Sequence, residues 1–142
     1  MRIIGLDVGS KTIGVAVSDE MGYTAQGLET IRRTTEPADL DTLRALVEHY
    51  SASEIIIGLP KRMDGSLGPA AQSMLAFAEK VAAMVSAEVK TWDERLSTVA
   101  AGKMLIAADV RRKKRRQVID KVAAVLILQS YLDYRATRPN HP

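Results

Sequence analysis

The first 19 residues constrain the fold of this chain more than any other stretch. Residues 3–6 form an apolar, β-rich run, Gly9 and Ser10 supply turn residues, and residues 13–17 form a second apolar run. Two β-rich runs on either side of a short polar turn predict an antiparallel hairpin. The chain is therefore expected to build a β-sheet from its first residues.

Strands and helices are expected to alternate through the rest of the sequence. The predicted elements are a strand over 23–31, a helix over 37–50, a strand over 54–58, a helix from Pro69, a strand over 88–92, a helix over 97–107 and a helix over 118–135. Three meandering strands followed by alternating helices and strands predict an α/β fold with a mixed sheet and helices on both faces. We expect a single domain over 1–136 and a flexible C-terminal tail over 137–142.

Composition narrows the class of protein. Hydrophobic residues make up 46% of the 142 residues, which is typical of a globular domain. The sequence has no cysteine, which excludes disulfides, thiolate metal sites and a cysteine nucleophile. No apolar run approaches the roughly 18 residues of a membrane span, and no signal peptide is recognised. We expect a cytoplasmic protein that does not bind membranes.

Asp7 is the first candidate site residue. It stands at the end of the first strand among β-branched residues, where a carboxylate is costly unless it is paired or coordinated. A hard metal cation would be a suitable partner. An alternative interpretation is that Asp7 only caps the hairpin turn. The first 19 residues by themselves favour neither the metal ligand nor the turn cap.

Two further carboxylates stand at comparable positions. Glu94 follows directly on the strand over 88–92, and sites in α/β sheets gather at the carboxyl ends of strands. Asp120 lies on a predicted helix, three, four and seven residues before Ala123, Ala124 and Ile127, and therefore shares their apolar face. The alternatives are that Glu94 is an ordinary turn acid and that Asp120 complements the helix dipole.

Three carboxylates on separate elements would form a site for divalent cations. Oxygen ligands favour Mg²⁺ or Mn²⁺ over zinc. Two such ions about 3.5–4 Å apart can activate a water and stabilise the leaving oxygen in phosphodiester cleavage. Asp7, Glu94 and Asp120 are therefore predicted to be both metal ligands and catalytic residues.

A run of basic residues precedes the last predicted helix. Its six members are Arg111, Arg112, Lys113, Lys114, Arg115 and Arg116. Such blocks usually bind polyanions, and this one would hold a nucleic-acid backbone beside the metal site. Other cations could extend the surface: Lys11, Lys61, Arg62, Arg95 and Lys121. The alternative is a solvated loop without a ligand.

Four stretches of the sequence resemble one known family. GLDVGSKTIGVAVSD, GLPKRMDGSLGP, DERLST and IDKVAAVLILQSYLD stand in the order found in the YqgF/RuvX family and span nearly the whole chain. The resemblance implies an RNase H-like fold, with a five-stranded mixed sheet of order 3-2-1-4-5 in which strand 2 is antiparallel. It also implies a metal-dependent nuclease whose metal-binding acids fall on Asp7, Glu94 and Asp120.

The resemblance leaves the substrate open. Members of the family are described as nucleases that process the 5′ end of pre-16S rRNA and as Holliday junction resolvases. We therefore expect an Mg²⁺- or Mn²⁺-dependent endonuclease acting on precursor rRNA, with branched DNA as the alternative substrate. A non-catalytic nucleic-acid-binding protein is a further alternative. A junction resolvase makes two symmetric cuts, which favours a homodimer, whereas an rRNA-processing enzyme could act as a monomer.

Overall fold

The computed structural model describes residues 1–96 and 112–137, with side chains of the last helix described from Val122 onward. Its strands are β1 Ile3–Val8, β2 Thr12–Ser18, β3 Ala25–Gly27, β4 Ile31–Arg32, β5 Glu54–Leu59 and β6 Glu88–Asp93. Its helices are α1 Glu36–Tyr50, α2 Pro69–Met84 and α3 Arg112–Ala136, with a 3-10 turn over Glu94–Leu96. None of these helices is both long enough and apolar enough to span a membrane.

The strands form one mixed sheet with the order β3-β2-β1-β5-β6. β1 is antiparallel to β2 and parallel to β5, and β5 is parallel to β6. The predicted α/β fold, its central hairpin and its antiparallel second strand are therefore confirmed. The carboxyl ends of β1, β5 and β6 meet at one edge of the sheet, where Asp7 and Glu94 lie.

The predicted third strand, over 23–31, is wrong in one respect, because it is divided into β3 and β4. Both pieces pair antiparallel with β2, so the sheet has six strands rather than five. The three residues 28–30 lie opposite the two residues 14–15, so the register shifts by one residue between the two pieces. This is the geometry of a β-bulge, which interrupts the ladder locally.

Helices cover both faces of the sheet, as predicted. α1 and α2 pack on one face, where Leu43, Phe77 and Val81 join the alternating residues of β1, β2 and β5. α3 packs on the other face, where Ile127 and Leu128 are completely buried. Because strand side chains alternate between faces, each central strand contributes to both cores.

Local signals set the starts of the first two helices. Thr35 caps α1 by accepting a hydrogen bond from the Ala38 N–H at 3.3 Å, and Pro37 stands in the first turn. Pro69 is the first residue of α2, whose N-cap, Gly68, makes no side-chain hydrogen bond. These starts agree with the sequence-based expectation to within a residue.

The last helix begins earlier than predicted. α3 includes residues 112–116, which the sequence analysis assigned to a loop, and it starts six residues before position 118. Arginine and lysine are good helix formers, and a helix that is already stabilised by tertiary packing extends readily into them. The predicted helix over 97–107 lies outside the described residues, as does the predicted tail apart from Thr137.

Candidate functional site

Asp7 lies in the sheet rather than in the hairpin turn. It is the fifth of six residues of β1, pairs with Gly14 of β2 and is 7% exposed. Its neighbours Leu6 and Val8 belong to the core beneath α1 and α2, so alternation places Asp7 on the opposite face, toward α3. Pairing with β2 therefore fixes the backbone of this buried carboxylate.

Glu94 reaches the same face from β6. Its carboxyl carbon lies 3.4 Å from the point that a Cβ on Gly58 would occupy. Gly58 follows Ile57, the partner of Leu6 in the parallel ladder, so Gly58 is the neighbour of Asp7 across the sheet. The structure thus brings Asp7 and Glu94 to the same edge and the same face of the sheet, with Gly58 between their strands.

Asp120 belongs to α3, but its side chain lies outside the described residues. Three, four and seven residues further along the helix, Ala123, Ala124 and Ile127 are completely buried against the sheet. The main chain of α3 approaches the sheet closely at Gly5, where a Cβ would lie 3.2 Å from the Ala124 carbonyl oxygen and 3.4 Å from Leu128 Cα. The role of Asp120 stays a prediction from helical periodicity.

The loop between β5 and α2 contributes two of the predicted cations. Lys61 is half-buried, and its Nζ lies 4.0 Å from Asp93 Oδ2. Arg62 is exposed, and its N–H donates to the Ser66 carbonyl at 3.1 Å. The loop is thus closed by a main-chain hydrogen bond and presents both side chains at the sheet edge where β5 ends.

Arg95 stabilises this loop from β6. Its guanidinium donates to both carboxylate oxygens of Asp93, with the shortest contact 2.7 Å, and to the Met63 carbonyl at 3.3 Å. Hydrogen bonds from Arg95 hold the pKa of the Asp93 carboxyl below its ordinary value, so the pair stays ionised. Arg95 was predicted to bind nucleic acid, and in this structure its contacts are internal ones that join β6 to the loop.

The remaining predicted cations are Lys11, residues 111–116 and Lys121. Lys11 is exposed in the turn between β1 and β2. Residues 112–116 lie in α3, as does Lys121, but their side chains are not described. Arg111 falls outside the described residues altogether.

Sequence reasoning missed two residues that shape this edge of the sheet. Gly58 leaves room for Ile127 beside Glu94, although its only sequence signal is a glycine inside an apolar strand. Arg33 donates from Nη1 to the Gly9 carbonyl at 2.8 Å and from Nε to Asp39 at 3.1 Å. No local pattern predicts the Arg33 contact with Gly9, because the two residues are 24 positions apart in the sequence.

The donor set fits a hard divalent cation. Two carboxylates converge on one edge, and carboxylate oxygens are the preferred ligands of Mg²⁺ and Mn²⁺. Among the side chains that the structure describes, no group of three acidic or histidine residues forms a metal site. The predicted third ligand, Asp120, is not among those side chains.

Comparison with known proteins assigns the chain to a family. Residues 1–134 match the family model described as "RuvX: Holliday junction resolvase". A protein of Desulforamulus reducens described as "Putative pre-16S rRNA nuclease" is 59% identical over 133 residues, covering 94% of this chain and 97% of the relative. A protein of Geobacillus kaustophilus with the same description is 60% identical over 135 residues, covering 94% of this chain and 98% of the relative.

A solved structure supports the fold at low sequence identity. Thermus thermophilus RuvC, in complex with a Holliday junction substrate, superposes with a TM-score of 0.61 and 12% identity. The match covers 96% of this chain and 97% of that one. At this identity the likeness shows a common RNase H-like fold and nothing about substrate.

Proposed function

The chain belongs to the RuvX family, and on that premise we propose that it is a divalent-metal-dependent endonuclease that cleaves phosphodiester bonds of structured RNA. The substrate that we favour is the 5′ end of pre-16S rRNA, because relatives about 60% identical over nearly their whole length carry that description. Such an enzyme works where precursor rRNA is made, and we place it in the cytoplasm.

The observation that carries the proposal is the placement of Asp7 and Glu94 on one face of the sheet, at the same edge. A buried carboxylate on β1 and a second one directly after β6 lie there, beside Gly58. Carboxylate oxygens are the preferred ligands of Mg²⁺ and Mn²⁺. Without a cation two carboxylates would repel a phosphate backbone, so their position favours a metal-dependent nuclease over a protein that only binds nucleic acid.

Each residue of the site has a defined task in this proposal. Asp7, Glu94 and Asp120 hold the cation, and a cation held there supplies positive charge against the negative charge that develops on the phosphate. Lys61 and Arg62 orient the substrate backbone from the loop after β5.

A second candidate function is cleavage of branched DNA. The matching family model is described as a Holliday junction resolvase, and the superposed RuvC structure holds a Holliday junction. A junction enzyme makes two symmetric cuts, so this function favours a homodimer, whereas an rRNA-processing enzyme need not be one. The oligomeric state in solution is therefore measured together with the substrate preference.

Side-by-side cleavage tests the proposal. Purified protein is incubated with a precursor rRNA 5′ end and with a four-way DNA junction, in Mn²⁺, in Mg²⁺ and with EDTA. We expect cleavage of the RNA that requires the metal and is abolished by EDTA. Oligomeric state is measured by light scattering in the same buffer, and a dimer that cuts only the junction would favour the second function.

The variant Asp7→Asn is the control for contaminating nuclease. It preserves side-chain size and removes the charge that holds the cation. The proposal predicts an inactive variant with unchanged melting temperature that still binds the RNA. Binding without cleavage by the wild-type protein in any metal would instead indicate a non-catalytic nucleic-acid-binding protein.

A further inference from the structure

We infer that Arg33 is a positioning residue that fixes the turn over 9–11 and thereby presents Lys11 to the substrate backbone. The inference rests on the proposed function, because it takes the ligand of Lys11 to be a nucleic-acid phosphate. Arg33 itself lies beneath the turn and is not expected to contact the substrate.

Arg33 holds the turn at two carbonyl groups. Its side chain donates from Nη1 to the Gly9 carbonyl at 2.8 Å, and its main-chain N–H donates to the Lys11 carbonyl at 2.8 Å. The hairpin contributes its own hydrogen bond, from the Gly9 N–H to the Thr12 carbonyl at 2.8 Å. Arg33 therefore adds anchors on both sides of Ser10 that the hairpin itself does not provide.

A buried carboxylate holds the guanidinium in place. Asp39, which is 3% exposed, accepts from Arg33 Nε at 3.1 Å and from the Thr34 N–H at 3.1 Å. The guanidinium carbon also lies 5.1 Å from the centre of the Phe77 ring, a cation–π distance. Three different elements of the fold thus converge on one arginine, whose side chain is only 21% exposed.

Arg33 supports the position of Lys11 but not the position of Asp7. Asp7 is fixed within the β1–β2 ladder, which continues through the pair of Val8 and Ile13. Lys11 lies outside that ladder in an exposed turn, where an unanchored main chain would have to be ordered when substrate binds. Loss of the Arg33 anchor should therefore weaken substrate binding while leaving the carboxylate site intact.

The test is a double-mutant cycle between Arg33 and Lys11. KM and kcat are measured for wild type, Arg33→Ala, Lys11→Ala and the double variant. We expect each single variant to raise KM by about two- to fivefold, the usual size of an exposed charge contact, with kcat nearly unchanged. The double variant should be no worse than Lys11→Ala, because both changes remove the same interaction.

Matched variants guard against a general loss of stability. Arg44→Ala removes an arginine that pairs with Asp41 on the exposed side of α1, and it should leave KM unchanged. Arg33→Lys keeps a cation near Phe77 but cannot reach Asp39 and Gly9 together, so it replaces the alanine variant if that one does not fold. Additive effects in the cycle, or an unchanged KM in a folded Arg33 variant, would overturn the inference.

A measurement without cleavage separates this inference from the proposed function. The same cycle is repeated as RNA affinity in the Asp7→Asn background, and amide exchange is followed at Ser10 and Lys11. If Arg33→Ala makes amide exchange in that turn faster and RNA binding weaker, the inference is supported even if the protein proves not to be a nuclease. Failure to bind any nucleic acid would overturn both proposals.

Discussion

The carboxyl carbon of Glu94 lies 3.4 Å from the place where a Cβ on Gly58 would stand. That distance is an ordinary van der Waals contact, whereas the same Cβ would clash with Ile127 Cδ1. The absence of a side chain at Gly58 therefore makes room for Ile127 over β5, and Glu94 lies directly beside the same position.

Replacing Gly58 with alanine should disturb the contact with Ile127. We expect Gly58→Ala to destabilise the protein by about 1–3 kcal/mol through overpacking against Ile127. Because Glu94 lies at an ordinary contact distance from the new Cβ, cleavage by the folded variant should be retained. Thermal unfolding and cleavage rate measure the two effects. The double variant Gly58→Ala with Ile127→Val should recover part of the stability, because it removes the atom in closest conflict, and no recovery would contradict this explanation.

Neutralising either carboxylate of the site should abolish cleavage. Asp7→Asn and Glu94→Gln are each expected to lower kcat at least about a hundredfold, since even groups that only support a metal ligand can cost that much. RNA affinity and circular dichroism should be preserved. Normal cleavage by either variant would show that the residue does not hold the metal.

The salt dependence of RNA binding should report on Arg62. If its exposed guanidinium neutralises one phosphate, Arg62→Ala should reduce the slope of log affinity against log salt by about 0.7 to 0.9. Anisotropy titrations of the Asp7→Asn protein between low and moderate salt measure this slope. Arg44→Ala is the matched control and should leave it unchanged, whereas an equal change in both variants would indicate only a net-charge effect.

An ion network surrounds Glu54 at the start of β5, away from the candidate site. It should contribute to the loss of folding stability at acidic pH. Lys90 Nζ and the Tyr131 hydroxyl donate to Glu54 Oε1 at 2.7 and 3.0 Å, and Arg135 Nη1 lies 3.4 Å from Oε2. Burial by itself raises the pKa of Glu54, but the hydrogen bonds and charges of these partners outweigh it, and the net pKa lies below its ordinary value of 4.5.

The sign of the pH effect follows from that shift. A lowered folded-state pKa means that the stabilisation by Glu54 is complete above about pH 4.5 and is lost as the pH falls through the folded-state pKa. We expect Glu54→Gln to cost about 1–2 kcal/mol at pH 7 and to flatten the decline of melting temperature between about pH 5 and pH 3. Glu36→Gln, which alters an exposed pair with Lys80, should change neither the stability at pH 7 nor the decline of melting temperature at low pH.

Most of the fold could be predicted because the signals for its strands and helix starts are formed by residues that are neighbours in the sequence. Two apolar runs around a Gly-Ser turn predicted β1 and β2, and Thr35 with Pro37 marked the start of α1. Asp7 could be proposed because a carboxylate among β-branched residues is unusual, and Glu94 because it follows the carboxyl end of a strand. Convergence of Asp120 on the same pocket stays a prediction.

What could not be predicted depends on partners distant in sequence. The division of the third strand follows from its register against β2, which no property of residues 23–31 reveals. The contact of Arg33 with Gly9 and the close approach of Ile127 to Gly58 exist only after the chain has folded. The start of α3 was predicted too late because the apolar pattern begins only after the basic run, although arginine and lysine also favour a helix.

The bulge over residues 28–30 has a consequence for variation in chain length. Removing one of these residues would leave two residues opposite residues 14–15, which is the count of an uninterrupted ladder, so β4 would keep its partners in β2. Arg33 comes directly after β4 and would keep its approach to Gly9. A second extra residue, by contrast, would enlarge the bulge or shift β4 along β2 and turn its side chains to the other face of the sheet. A one-residue deletion in this short stretch should therefore be tolerated better than a one-residue insertion.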